Sequence, residues 1–100
     1  MPKYYLTNDA ENDLREILEY TLNQWGVEQV LAYRNILESR LRTLAKFPTI
    51  GRNNINLPSE IFYIVEGKHY LFYRIVNDEI EVLRILHSKM DIFQHISNYL

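Results

Sequence analysis

Apolar positions recur along the chain with two different periods, and the change between them separates a helical half from a strand half. Residues 3–7 (KYYLT) form a short β-like run. Thr7 and Asn8 then offer N-cap oxygens, with Glu11 three residues after Asn8. Ala10, Leu14, Ile17, Leu18, Thr21 and Trp25 follow at helical spacing and share one face. Asp9, Glu11 and Asp13 lie in the first turns, where the helix dipole favours acids, and Gly26 supplies a C-cap. The pattern predicts a helix over 8–25. Val30, Tyr33, Leu37, Leu41 and Leu44 stripe a second helix that Pro48 stops. The very short connection at Gly26-Val27 makes the two an antiparallel hairpin.

Residues 48–60 (PTIGRNNINLPSE) read as loop. Beyond them Ile61–Val65, Lys68–Val76 and Glu79–His87 are rich in Ile, Val, Tyr and Phe. Glu66-Gly67 and Asn77-Asp78 separate them as tight turns, which predicts a three-stranded antiparallel meander. Met90–Leu100 spaces Ile92, Phe93, Ile96, Tyr99 and Leu100 as a short amphipathic helix with Asp91 as its cap. The predicted fold is therefore α+β: N-terminal strand, helical hairpin, meander and short C-terminal helix. Strict alternation from the Asn77-Asp78 turn sets Arg74 opposite Glu81, Phe72 opposite Leu83 and Tyr70 opposite Ile85 on one face. Leu71, Tyr73, Ile75, Ile80, Val82 and Leu86 line the other, with Arg84. Both faces are apolar and the hairpin covers one, so a partner is expected on the face with Tyr70, Phe72, Leu83 and Ile85.

The 100 residues suffice for one domain, 1–100, and no linker or repeat divides them. A hydrophobic share of 47%, with three Gly and three Pro, excludes disordered and collagen-like classes. Cys is absent, which removes disulfides and thiolate metal sites. His69, His87 and His95 lack the helical spacing of a zinc pair, so no metal or other cofactor is expected. The start of the chain has no signal-like apolar stretch, and no apolar run nears the ~18 residues of a membrane span. No membrane partner is expected, and a cytoplasmic protein is. Eleven Lys and Arg stand against thirteen Asp and Glu, a net charge of −2. Proteins that grip phosphate backbones carry a basic surplus, so the balance shifts the expectation toward a protein partner.

Element order and particular residues together resemble the ParE branch of the RelE/ParE toxin superfamily, from bacterial type II toxin–antitoxin modules. Leu6-Thr7…Ala10…Asp13-Leu14…Ile17…Tyr20-Thr21…Trp25-Gly26 looks like the family's first helix, and Leu44-Ala45…Pro48…Gly51 like the exit of its second. The most specific stretches are Gly67-Lys68-His69…Phe72-Tyr73-Arg74 and Val82…Arg84-Ile85-Leu86-His87…Met90-Asp91. The chain departs from the pattern at Phe62, where many relatives carry Arg. The resemblance implies a toxin held inactive by a cognate antitoxin of ParD or similar type, with operator DNA bound only through that antitoxin. It implies DNA gyrase as the target, with Arg74, His87, Met90 and Asp91 as target-binding residues.

RelE-type relatives instead cut mRNA on the ribosome. Such an RNase needs a base, cationic donors for the phosphorane-like transition state and an acid. Here His87 is the candidate acid or base and Arg84, Lys89 and Arg74 are the candidate cations, while Tyr70 stands where the RelE branch places a basic residue. The expectation is therefore a protein-directed poison with no catalytic residues. An mRNA endoribonuclease and a non-toxic member acting only in an autorepressing complex are the alternatives.

Overall fold

A computed structural model describes residues 3–99; the expected contribution of Leu100 to the C-terminal stripe falls outside them. Strand β1 spans Tyr4–Leu6, helix α1 Asn8–Trp25 and helix α2 Val27–Lys46. Strands β2 (Phe62–Glu66), β3 (His69–Val76) and β4 (Glu79–His87) follow, then a five-residue helix α3 (Ile92–Ile96). The Thr7 hydroxyl caps α1 by accepting from the Ala10 N–H at 3.1 Å, and donates to the Leu83 carbonyl at 2.9 Å. One side chain thus ends β1, starts α1 and pins both to β4. Gly26, at φ 91°, is the whole connection between the helices; its N–H closes α1 on Leu22 and its carbonyl opens α2 on Val30. A side chain is disfavoured at that φ, so this hairpin bend needs glycine.

The sheet has four strands in the order β1-β4-β3-β2. The expected meander is present, and β1 joins it parallel to β4, with Tyr4 beside Ile80 and Leu6 beside Val82. Asn77 and Asp78 both take positive φ, 51° and 65°, the geometry of a two-residue turn matched to strand twist. The other hairpin closes one residue later than expected, over Gly67-Lys68, because Glu66 still pairs with His69.

The expected register holds from that turn through Tyr73–Val82 and then fails. Between Phe72 and Tyr73 the ladder slips, so Phe72 faces Arg84 instead of Leu83, and Leu71 rather than Tyr70 faces Ile85. A β-bulge sets two residues against one and reverses the faces beyond it. Ile85 therefore joins the hairpin-side core with Leu41, Leu44, Ile64, Leu71 and Tyr73, and Leu86 takes its place on the opposite face. That second face is closed by the chain itself. Leu57 and Ile61 from the loop and Ile96 from α3 pack over Phe72, Leu83 and Leu86. Of the four residues expected to meet an antitoxin, Phe72, Leu83 and Ile85 are buried at 3% exposure or less, and only Tyr70 stays half-buried. The open apolar face expected there is a second core.

Candidate functional site

A groove of about 670 Å³ lies where α1 and α2 pass the ends of β3 and β4. Helix α1 supplies Ile17, Tyr20 and Trp25, α2 supplies Tyr33, and the sheet supplies His69 and His87, with Met90 beyond β4. His69 and His87 are cross-strand partners, and their rings meet edge to face at 5.4 Å. The Tyr33 hydroxyl sits 2.8 Å from His69 Nδ1. His87 Nδ1 accepts the Lys89 backbone N–H at 3.1 Å. Burial, followed by the nearness of His87, pushes the His69 imidazole below its ordinary range. Burial and then the Glu66 charge push Tyr33 up to about 12, so its hydroxyl keeps its proton.

A depressed histidine binds fewer protons in the folded chain than in the unfolded one. Its stabilising contribution is full above the unfolded value of about 6.5 and is lost as pH falls through the folded value. Thermal unfolding should therefore occur a few degrees lower at pH 5.5 than at pH 7.5. His69→Gln, which keeps a partner for Tyr33, should shrink that drop; an equal drop in the variant would assign it to other groups.

The structure divides the expected target set. His87 and Met90 share the groove. Arg74 lies at the far end of the ladder, bonded to Glu81 at 2.6 Å, and Asp91 caps α3 by accepting from the Gln94 N–H at 3.3 Å. The expected RNase set is also scattered. Five residue steps along β3 separate Arg74 from His69, roughly 16 Å at about 3.3 Å per step. Arg84 is held bidentate by Asp13, at 2.7 and 2.9 Å, with a third bond to the His95 carbonyl. Among the described residues Lys89 bonds to His87 only through its backbone N–H.

Sequence reasoning missed Tyr20, Tyr33 and Trp25 as groove residues. Trp25 was expected on the core stripe of α1 but is 72% exposed. A Trp immediately before the helix-ending Gly26 was the available signal. Tyr33 meets His69 across 36 residues, and nothing local marks that pair.

Residues 4–92 match the family described as the ParE toxin of the type II toxin–antitoxin system parDE. Toxin ParE1 of Caulobacter vibrioides is 33% identical, over 96% of this chain and 99% of that protein. Toxin ParE of Escherichia coli is also 33% identical, over 100% and 98%. Among solved structures, the chromosomal ParDE system from P. aeruginosa superposes with a TM-score of 0.71 at 19% identity, covering 87% of this chain and 96% of that one. The RelBE2 toxin–antitoxin complex from Mycobacterium tuberculosis gives 0.62 at 22%, covering 87% and 99%. These likenesses carry the strand–hairpin–meander fold, and the sequence matches over nearly the full length carry the family: the chain belongs to the ParE toxins of type II toxin–antitoxin systems.

Proposed function

We propose that this chain is the toxin of a two-component module, neutralised by a cognate antitoxin and directed at a protein target, DNA gyrase, in the cytoplasm. Operator DNA is reached only through the antitoxin. The observation that supports a protein target is the dispersal of the cations. Arg74 and Arg84 are each committed to a carboxylate, Glu81 and Asp13, at separate places in the sheet. Phosphoryl transfer needs positive groups preorganised around one developing charge, and neither Arg74 nor Arg84 lines the groove that holds His87. Gyrase as the particular protein rests on the ParE-like ending, His87…Met90-Asp91, and on the family.

One preparation of the chain, assayed twice, tests this reading. Gyrase supercoiling should be inhibited, and primer extension on ribosome-bound mRNA should show no new cuts. His87→Ala should not abolish the gyrase effect. Codon-dependent cleavage with normal supercoiling, lost on His87→Ala, would replace this reading with an endoribonuclease.

A further inference from the structure

We propose that the corner of the groove formed by His69, His87 and Lys68 receives a carboxylate, and that the protein segment entering the groove carries an acidic side chain beside an aromatic one. The inference rests on the protein-partner reading above for the origin of that segment, while the pocket chemistry stands on the hydrogen bonds themselves. A backbone N–H can only donate, so His87 Nδ1 bears a lone pair toward Lys89 and the neutral ring carries its proton on Nε2. The Tyr33 hydroxyl pairs with His69 Nδ1 at 2.8 Å, which leaves Nε2 as the free nitrogen of that ring. Among the described residues neither Nε2 has a protein partner, and no buried side-chain nitrogen is left unpaired. Both Nε2 atoms are therefore accessible, on residues that line the groove.

Lys68 lies in the turn at the same end and lines the same groove, outside the ion pairs found among the described residues. The nearby acids are mostly occupied. Asp13 is bound by Arg84, and Glu66 pairs with Arg40 at 3.6 Å. Glu16, on the α1 wall, is the remaining acid of the lining. The His87 N–H and the Lys68 ammonium, joined by His69 when it is protonated, form a receptor for an oxyanion, and charge assistance makes such bonds the stronger kind. Tyr20 and Trp25 add exposed aromatic surface alongside, 64% and 72% accessible, which suits a ring next to the acid. A seated carboxylate favours proton uptake by His69, whose surroundings are Tyr33 and Glu66, His87, Lys68, the Asp13–Arg84 pair and Glu16. Binding should therefore tighten as pH falls.

Phenylacetate, an aromatic ring bearing one carboxylate, is the probe, titrated into the isotopically labelled full chain and followed by NMR. It should shift the imidazole signals of His69 and His87 and the Trp25 indole N–H, with binding about threefold tighter at pH 6.0 than at pH 7.5. Lys68→Ala, an exposed change that spares the fold, should weaken it about fivefold. Phenylacetamide, isosteric but uncharged, should not compete. Equal binding of the amide, or no shift at those three residues, would overturn the carboxylate receptor. Inorganic phosphate binding at least as tightly would overturn the acidic side chain as the ligand. A chain that binds phenylacetate and leaves supercoiling untouched keeps this inference and loses the gyrase target; one that inhibits supercoiling and ignores phenylacetate does the reverse.

Discussion

Asp13→Ala should cost the fold about 3 kcal/mol, a large part of the ~5–15 kcal/mol that holds a domain of this kind together. The carboxylate does three things at once. It accepts Arg84 Nε at 2.7 Å and Nη2 at 2.9 Å, and its Oδ2 also accepts the Ile85 backbone N–H at 3.0 Å, just beyond the bulge. The two side chains are 14% and 13% exposed, so removing one strands a mostly desolvated guanidinium and leaves a backbone donor unpaired. The same guanidinium holds the His95 carbonyl of α3, whose Ile96 lies in the second core, and Tyr99 fastens that end again by donating to Asp9 at 2.6 Å. Urea unfolding reads the loss. The double variant Asp13→Leu/Arg84→Met should recover much of it, because an apolar pair of similar bulk strands no charge. A loss below about 1 kcal/mol in Asp13→Ala would show that the pair is solvated and that α3 is held by its apolar contacts alone.

That pair shows where the sequence is legible and where it is not. The bounds of α1 were readable because all their causes are local: Thr7 as cap, the stripe from Ala10 and Gly26 at the bend. The Asn77-Asp78 turn was readable for the same reason, since two residues that tolerate positive φ stand between β-branched runs. The bulge was not. Leu83-Arg84-Ile85-Leu86 offers an apolar residue to either face in either register, so composition does not mark the slip. What selects it is non-local: Asp13, 71 residues away, claims Arg84, and its Oδ2 takes the next backbone N–H. Reversing the faces beyond Leu83 is also what exchanged Ile85 for Leu86 in the second core. The cover over that core comes from Leu57 and Ile61, which lie in or beside a stretch read as loop, so the face seemed open when each segment was judged alone. The groove suffered most. Its polar floor depends on Tyr33 meeting His69, and only His87 and Met90 of its lining were among the residues that the family resemblance singled out as target-binding.

Gly51→Ala should be the most damaging single methyl addition to this chain, at about 2–3 kcal/mol, or roughly 10–20 °C in Tm for a domain this size. The backbone there is ordinary, φ −68° and ψ 170°, so the glycine is not serving a left-handed turn. It makes room. A Cβ would collide with Tyr73 Oη and stand 2.9 Å from its Cε1 and Cζ. Tyr73 is fully buried, stacks on Phe62 at 5.4 Å, and ties the loop down by donating to the Pro48 carbonyl at 2.7 Å while accepting the Gly51 N–H at 3.0 Å. The added methyl must either displace that ring within the hairpin-side core or lift the loop that carries Leu57 over Phe72, so both cores feel it. Tyr73→Phe alone should cost about 1–2 kcal/mol, because it leaves the Pro48 carbonyl and Gly51 N–H without their partner. The two changes should not add. With the hydroxyl gone the worst overlap disappears, and the double variant should be more stable than the sum of the singles predicts by about 1 kcal/mol. Chemical denaturation of the four chains measures that coupling. Strict additivity, or a Gly51→Ala chain within ~0.5 kcal/mol of the parent, would mean that the loop yields freely and that Tyr73 does not hold it.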